Sequence, residues 1–130
     1  MEFKKARTIY DQIADLICEN ILRKRWREGD RIPSVREMAV EVEVNPNTVM
    51  RAYTSLQERD VIVNRRGMGY YVAENSRLRV QTMKRNEFIR DELPALVKTM
   101  DLLGISIDDL GAMIASCAGS QKEHDNEVER

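Results

Sequence analysis

Between residues 34 and 72 the chain sets out two short capped helices and then a β-hairpin, with almost nothing connecting them, and few folds accept that order. Ser34 opens the first of these helices with Glu37 three positions on. That is the capping-box spacing, in which two orphan backbone N–H groups are satisfied at once. Val35, Met38, Ala39 and Val42 make its inward stripe. Asn45 caps the next helix, and Pro46 takes the first helical position, where a missing N–H costs nothing. Val44 and Val49 have the spacing of a hydrophobic staple around that cap. The helix then buries Val49, Ala52, Tyr53 and Leu56 and is expected to end near Arg59. After Asp60 the period changes: Val61-Ile62-Val63-Asn64 and Tyr70-Tyr71-Val72 are β-rich, and Arg65-Arg66-Gly67-Met68-Gly69 between them reads as a doubly basic hairpin tip.

Upstream, Ile9, Ile13, Leu16, Ile17 and Ile21 recur at helical spacing behind a Thr8 cap with Asp11 at the third position, and this helix should fade near Arg25. Downstream, Ile89, Leu93, Leu96, Met100 and Leu103 step by 4, 3, 4 and 3, the seam of a heptad. Pro94 falls inside that seam, which predicts a kink or break just before it. Gly104 suits a helix end; Ser106 with Asp109 caps a last helix whose inward face is Ile107, Leu110, Met113, Ile114 and Cys117.

The expected fold is therefore mainly α with a small β-hairpin. Residues 1–75 form a winged helix-turn-helix and residues 76–118 a helical dimerisation region; a polar tail over 119–130, which holds the only histidine, His124, is expected to be disordered. Two amphipathic helices cannot bury their apolar faces alone, so a two-fold homodimer is expected. Its seam residues are Ile89, Leu93, Leu96, Met100 and Leu103, with Leu110, Met113 and Ile114 from the last helix. Two helices also leave little room for a small-molecule pocket, so no dedicated effector domain and no cofactor are expected.

Function follows from which faces stay polar. Asn47, Thr48, Arg51 and Ser55 lie opposite the inward stripe of the third helix, in the half that enters the major groove in this motif. Asn can pair with adenine, Arg with guanine, and a Thr methyl can meet a thymine methyl. Arg36 stands in the first turn of the preceding helix, and Arg65 and Arg66 at the hairpin tip are placed for phosphates or a minor groove. A winged helix used for protein contact is the alternative; it would want an apolar third helix, where this one presents Asn, Thr, Arg and Ser.

Other classes fit poorly. Gly67-Met68-Gly69 lacks the following helix and the Lys-Ser/Thr ending of a phosphate loop, and no nucleophile–base pair can be assembled, so an enzyme is not expected. Cys18 and Cys117 have no partner spacing and read as small core hydrophobes, not metal ligands. No apolar run approaches a membrane span and Met-Glu-Phe-Lys-Lys leads into no signal-peptide core, so a cytoplasmic location is expected. The net charge of −1 hides local sorting. Residues 1–75 carry 13 basic and 12 acidic groups, yet Asp11, Asp15 and Glu19 sit on the first helix while Arg36, Arg51, Arg65 and Arg66 gather on the proposed DNA face. The run Arg23, Lys24, Arg25, Arg27 is either part of that field or solvated surface.

Several of these motifs occur together in one family. Ile32-Pro33-Ser34-Val35-Arg36-Glu37-Met38-Ala39, Val44-Asn45-Pro46-Asn47-Thr48-Val49 with Arg51-Ala52-Tyr53, and Arg66-Gly67-Met68-Gly69-Tyr70-Tyr71-Val72 resemble the GntR-type bacterial regulators, and Ile9-Tyr10-Asp11-Gln12-Ile13 fits their first helix. The Asn-Pro-Asn-Thr start and the short C-terminal region look most like the YtrA-like subfamily. The resemblance implies a dimeric transcriptional regulator, usually a repressor, often of its own operon and of neighbouring ABC-transporter genes. It implies DNA reading by Arg36, Asn45, Asn47, Thr48, Arg51, Arg66 and Gly67. The chain departs from many relatives at Glu43 and Asp60, where they have Gly, and at Pro46, where others have Arg.

Overall fold

The computed structural model describes residues 7–128, with side chains described through Gly119. The opening Met-Glu-Phe-Lys-Lys stretch and the His124 side chain lie outside the described residues. The elements, in chain order, are α1 (Ile9–Leu22), α2 (Val35–Val42), α3 (Pro46–Glu58), β1 (Ile62–Arg65), β2 (Gly69–Val72), α4 (Ser76–Glu87), a π-helical turn (Phe88–Glu92), α5 (Leu93–Leu103) and α6 (Ile107–Val128). They divide into two compact units, 1–85 and 86–130.

In the first unit the caps form as the residue types require. The Thr8 hydroxyl accepts from the Asp11 N–H while the Asp11 carboxylate accepts from the Thr8 N–H, and Ser34 and Glu37 repeat the exchange at α2. Helix α1 ends at Leu22, just past the last apolar position Ile21 and a little before the expected end near Arg25, with Arg23 as its C-cap. The core is one cluster: Ile13, Ile17, Cys18 and Ile21 of α1, Met38 and Ala39 of α2, Val49, Ala52, Tyr53 and Leu56 of α3, with Ile62 and Val72 of the hairpin. The hairpin is antiparallel, pairing Ile62 with Val72 and Arg65 with Gly69. Residues 29–32 run along the outer side of β2, where Ile32 N–H donates to Tyr70 O and Val72 N–H to Asp30 O, each at 2.9 Å. That pairing covers an edge otherwise open to other strands.

The first unit extends past the expected boundary at residue 75, because α4 is anchored to it. Val80 is fully buried, the Ser76 hydroxyl donates to Val61 O at 2.7 Å, and the Lys84 ammonium pairs with the Asp15 carboxylate of α1.

The second unit begins on an irregular turn. In an α-helix the nitrogen of Pro94 would donate to the carbonyl of Arg90, and it has no hydrogen to give. The ladder therefore widens over Phe88–Glu92, with Leu93 N–H reaching back to Phe88 O, and α5 starts anew with Pro94 in its first turn. Ile89 falls in the wide turn and Leu93 to Leu103 in α5, so the expected seam is interrupted. Gly104 ends α5 in the left-handed conformation, and Ser106 and Asp109 cap α6 reciprocally. Helix α6 runs on to Val128, through the polar residues after 119; no proline intervenes, and Gln, Lys and Glu favour a helix already begun. One expectation fails in this unit: Cys117 is exposed, not a core residue, and none of the unit's described residues is buried. Among the described residues, no single helix is long and apolar enough to cross a membrane.

Candidate nucleic-acid interface

The turn between α2 and α3 is as short as the two caps allow. Glu43 closes α2 in the left-handed conformation, φ 55° and ψ 50°, and its N–H donates to Ala39 O. Asn45 then caps α3, its side-chain oxygen accepting from Asn47 N–H at 2.8 Å. That bond uses one of the two lone pairs on the side-chain oxygen, so a bidentate adenine contact by Asn45 would share that oxygen with the cap, while its amide donors stay uncommitted. Asn47, one residue into the helix, is exposed and carries no such obligation.

The face that α3 presents differs in detail from the simple helical projection. Asn47, Arg51 and Thr54 are exposed, while Thr48 and Ser55 are half-buried along the flank. The Arg51 guanidinium lies over the Tyr10 ring, 4.5 Å from its centroid. Such a cation–π contact is worth about 0.5–1 kcal/mol at an exposed site, which Arg51 forgoes if it swings to a base. Met50 is exposed on the opposite flank, beside the hairpin, and its sulfur accepts from the Tyr70 hydroxyl at 3.8 Å. Tyr10, Met50 and Thr54 were not singled out from the sequence; the Tyr10–Arg51 pair spans two helices, and no local spacing marks it.

Arg36 stands exposed in the first turn of α2. Its neighbour Glu37 is committed to the cap: the Ser34 backbone N–H, and then its hydroxyl, hold the Glu37 carboxyl below its usual range. At the hairpin tip the Met68 N–H closes the turn on Arg65 O at 2.8 Å, with Gly67 at φ 77°, a conformation that a Cβ disfavours. Arg66 is exposed, and no ion pair involves it among the described residues. Arg65 instead stacks on the Tyr71 ring at 4.4 Å. Gly69 has φ 114°, and a Cβ there would meet the Arg31 Nε at 3.0 Å. Arg31, also not anticipated, thus lies against the turn end of β2 and adds a third cation beside Arg65 and Arg66.

One internal chain of contacts sets these pieces relative to one another. The Tyr53 hydroxyl donates to Pro33 O at 2.5 Å, and the Tyr53 and Tyr70 rings meet edge to face at 4.9 Å. The start of α2, the middle of α3 and strand β2 are held as one body, and burial pushes the Tyr53 phenol well above its ordinary range. The outcome is a set of exposed side chains on α3, the neutral Asn47 and Thr54 with Arg51, accompanied by exposed cations at Arg36 of α2 and at Arg31, Arg65 and Arg66 by the hairpin. Neutral donors and acceptors discriminate base edges, and flanking cations hold phosphates.

Residues 9–72 match the family described as bacterial regulatory proteins, gntR family. The uncharacterized HTH-type transcriptional regulator YhcF of Bacillus subtilis is 38% identical over 84% of this chain and 88% of its own length. The HTH-type transcriptional repressor YtrA of the same organism is 32% identical over 88% of this chain and 87% of its own. Among solved structures, a transcriptional regulator of the GntR family from Bacteroides thetaiotaomicron superposes with a TM-score of 0.72 at 40% identity, covering 88% of this chain and 99% of that one. These relatives are transcription regulators, not enzymes.

Proposed function

The chain belongs to the gntR family of bacterial regulatory proteins, and from that premise we propose that this DNA-binding regulator works as a homodimeric repressor on an inverted-repeat operator. The observation that carries the dimer is the second unit. None of its described residues is buried, yet Ile89, Leu93, Leu96, Leu103, Met113 and Ile114 are 36–67% exposed, with Met100 and Leu110 half-buried. A run of apolar side chains this long does not stay in water at no cost; at about 25 cal/mol per Å² its burial against a second copy is strongly favoured. Two-fold pairing then presents two α3 helices to two half-sites. Repression is supported by the name of the relative YtrA, and the family resemblance extends the proposal to control of the chain's own operon and of neighbouring ABC-transporter genes.

Within each head, Asn47 and Thr48 are the base readers, with Arg51 once it leaves Tyr10 and Asn45 through its amide donors. Arg36, Arg65, Arg66 and the Gly67 backbone hold phosphate or the minor groove. Sedimentation at micromolar concentration tests the dimer, and a gel shift with the chain's own upstream region, intact and with one half-site scrambled, tests the operator. A monomer mass, or equal binding to both DNA fragments, would refute the proposal.

A further inference from the structure

The basic run that follows α1 borders a cleft. Lys24, Trp26 and Arg27 line one side of a cavity of about 510 Å³, and Arg77 and Leu78 from the first turn of α4 line the other. The size falls in the range of about 300–1,000 Å³ typical of small-molecule sites. Lys24 turns the chain into it with a left-handed φ of 62°. Three cations thus line it, and the single lining carboxylate, Glu28, accepts from the Asn75 N–H. Among the described residues, Lys24, Arg27 and Arg77 make no ion pair; Arg77 donates one bond from Nε to Leu22 O at 3.3 Å, which leaves its terminal nitrogens. The rest of the wall is mixed, Asn75, Ser76 and Gln81 with an apolar part made by Ile21, Trp26 and Leu78; Trp26 packs its inner part on the core and Leu78 is 66% exposed.

Unpaired cations repel one another and favour an anion among them, and a guanidinium fork matches a phosphate or carboxylate edge. An indole and a leucine beside them favour an apolar or aromatic body on that anion. We propose that this cleft binds a small organic anion, a phosphate or carboxylate carried on an apolar or aromatic body. Its charged group sits between Arg27 and Arg77, and its body sits against Trp26 and Leu78. The occupant bridges the end of α1 to the first turn of α4, and the site shares no residue with the DNA face.

Trp26 is the sole tryptophan of the chain, so its emission reports on this cleft alone. The full-length protein is titrated with phenyl phosphate, benzoate, benzyl alcohol and inorganic phosphate, following Trp26 emission and heat in parallel. At least one of the two organic anions is expected to saturate with a dissociation constant below about 1 mM, and which one does so separates phosphate from carboxylate recognition. Arg27→Ala weakens it about tenfold or more and leaves duplex-DNA affinity and its salt dependence unchanged. The inference is overturned if neither organic anion saturates by about 10 mM. Equal binding of benzyl alcohol would mean a plain apolar crevice, and equal binding of inorganic phosphate a surface cation cluster. Loss of DNA affinity with a flatter salt slope in Arg27→Ala would make the cleft a DNA-backbone contact instead.

Discussion

Replacing Glu43 by glycine should make the protein more stable, although it removes a side chain. Glu43 ends α2 with φ 55° and ψ 50°, and its side chain is exposed with no hydrogen bond to lose. The conformation is forced, since only Val44 separates Glu43 from the Asn45 cap of α3. An L-residue held left-handed carries about 1–2 kcal/mol of strain between Cβ and the carbonyl oxygen. Glycine removes that strain but adds unfolded-state entropy worth about 0.4–1 kcal/mol. The difference is a net stabilisation of about 0.5–1 kcal/mol, or about 3–6 °C in Tm for a unit of this size. Equilibrium urea unfolding at one fixed protein concentration measures it, with the slope unchanged. Glu43→Ala keeps the Cβ and discards the carboxylate, so it should lie within about 0.5 kcal/mol of wild type. If Glu43→Gly is less stable than wild type while Glu43→Ala is neutral, left-handed strain is not what this position costs and the reasoning fails.

Acid should loosen α2 in a defined window. The Glu37 carboxyl is held below its ordinary value of 4.5 by Ser34, so the stability it confers is present above pH 4.5 and is lost as pH falls through its lower folded value. Urea unfolding of Glu37→Gln should therefore show a shallower decline below pH 4.5 than wild type. On DNA, Asn47→Ala is expected to cost about 1–3 kcal/mol on the operator and little on random duplex. Arg66→Ala should weaken both alike and reduce the salt slope by about one; equal behaviour of the two variants in a salt-titrated gel shift would contradict the division of labour. Leu96→Glu places a charge in the apolar face of α5, and sedimentation should find a monomer whose operator affinity has fallen by more than tenfold.

The caps were legible in the sequence because each is a bond between residues two or three apart. Thr8 with Asp11, Ser34 with Glu37, Asn45 with Asn47 and Ser106 with Asp109 all form as their spacing implies. The left-handed Glu43 and Asp60 are the positions where the family resemblance implies glycine. Pro94 announced its irregular turn, since a missing N–H is a property of one residue. What could not be read locally was partnership between distant residues. Arg51 finds Tyr10, Arg31 finds Gly69, and Tyr53 reaches Pro33, each pair separated by tens of residues along the chain.

The same division explains the corrections. Residues 76–85 carry a helical signal that is silent about which body the helix joins; the burial of Val80 and the Lys84–Asp15 pair decide it. Cys117 lies on an apolar stripe, and a stripe states a need for cover without supplying it. The sequence by itself determined where helices start and stop, where the hairpin turns, and that the third helix shows a polar face, because short-range hydrogen bonds and periodicity are written residue by residue. Tertiary structure alone decided which of those polar side chains are free to meet a base, since that depends on neighbours that only the closed chain brings within a few ångströms.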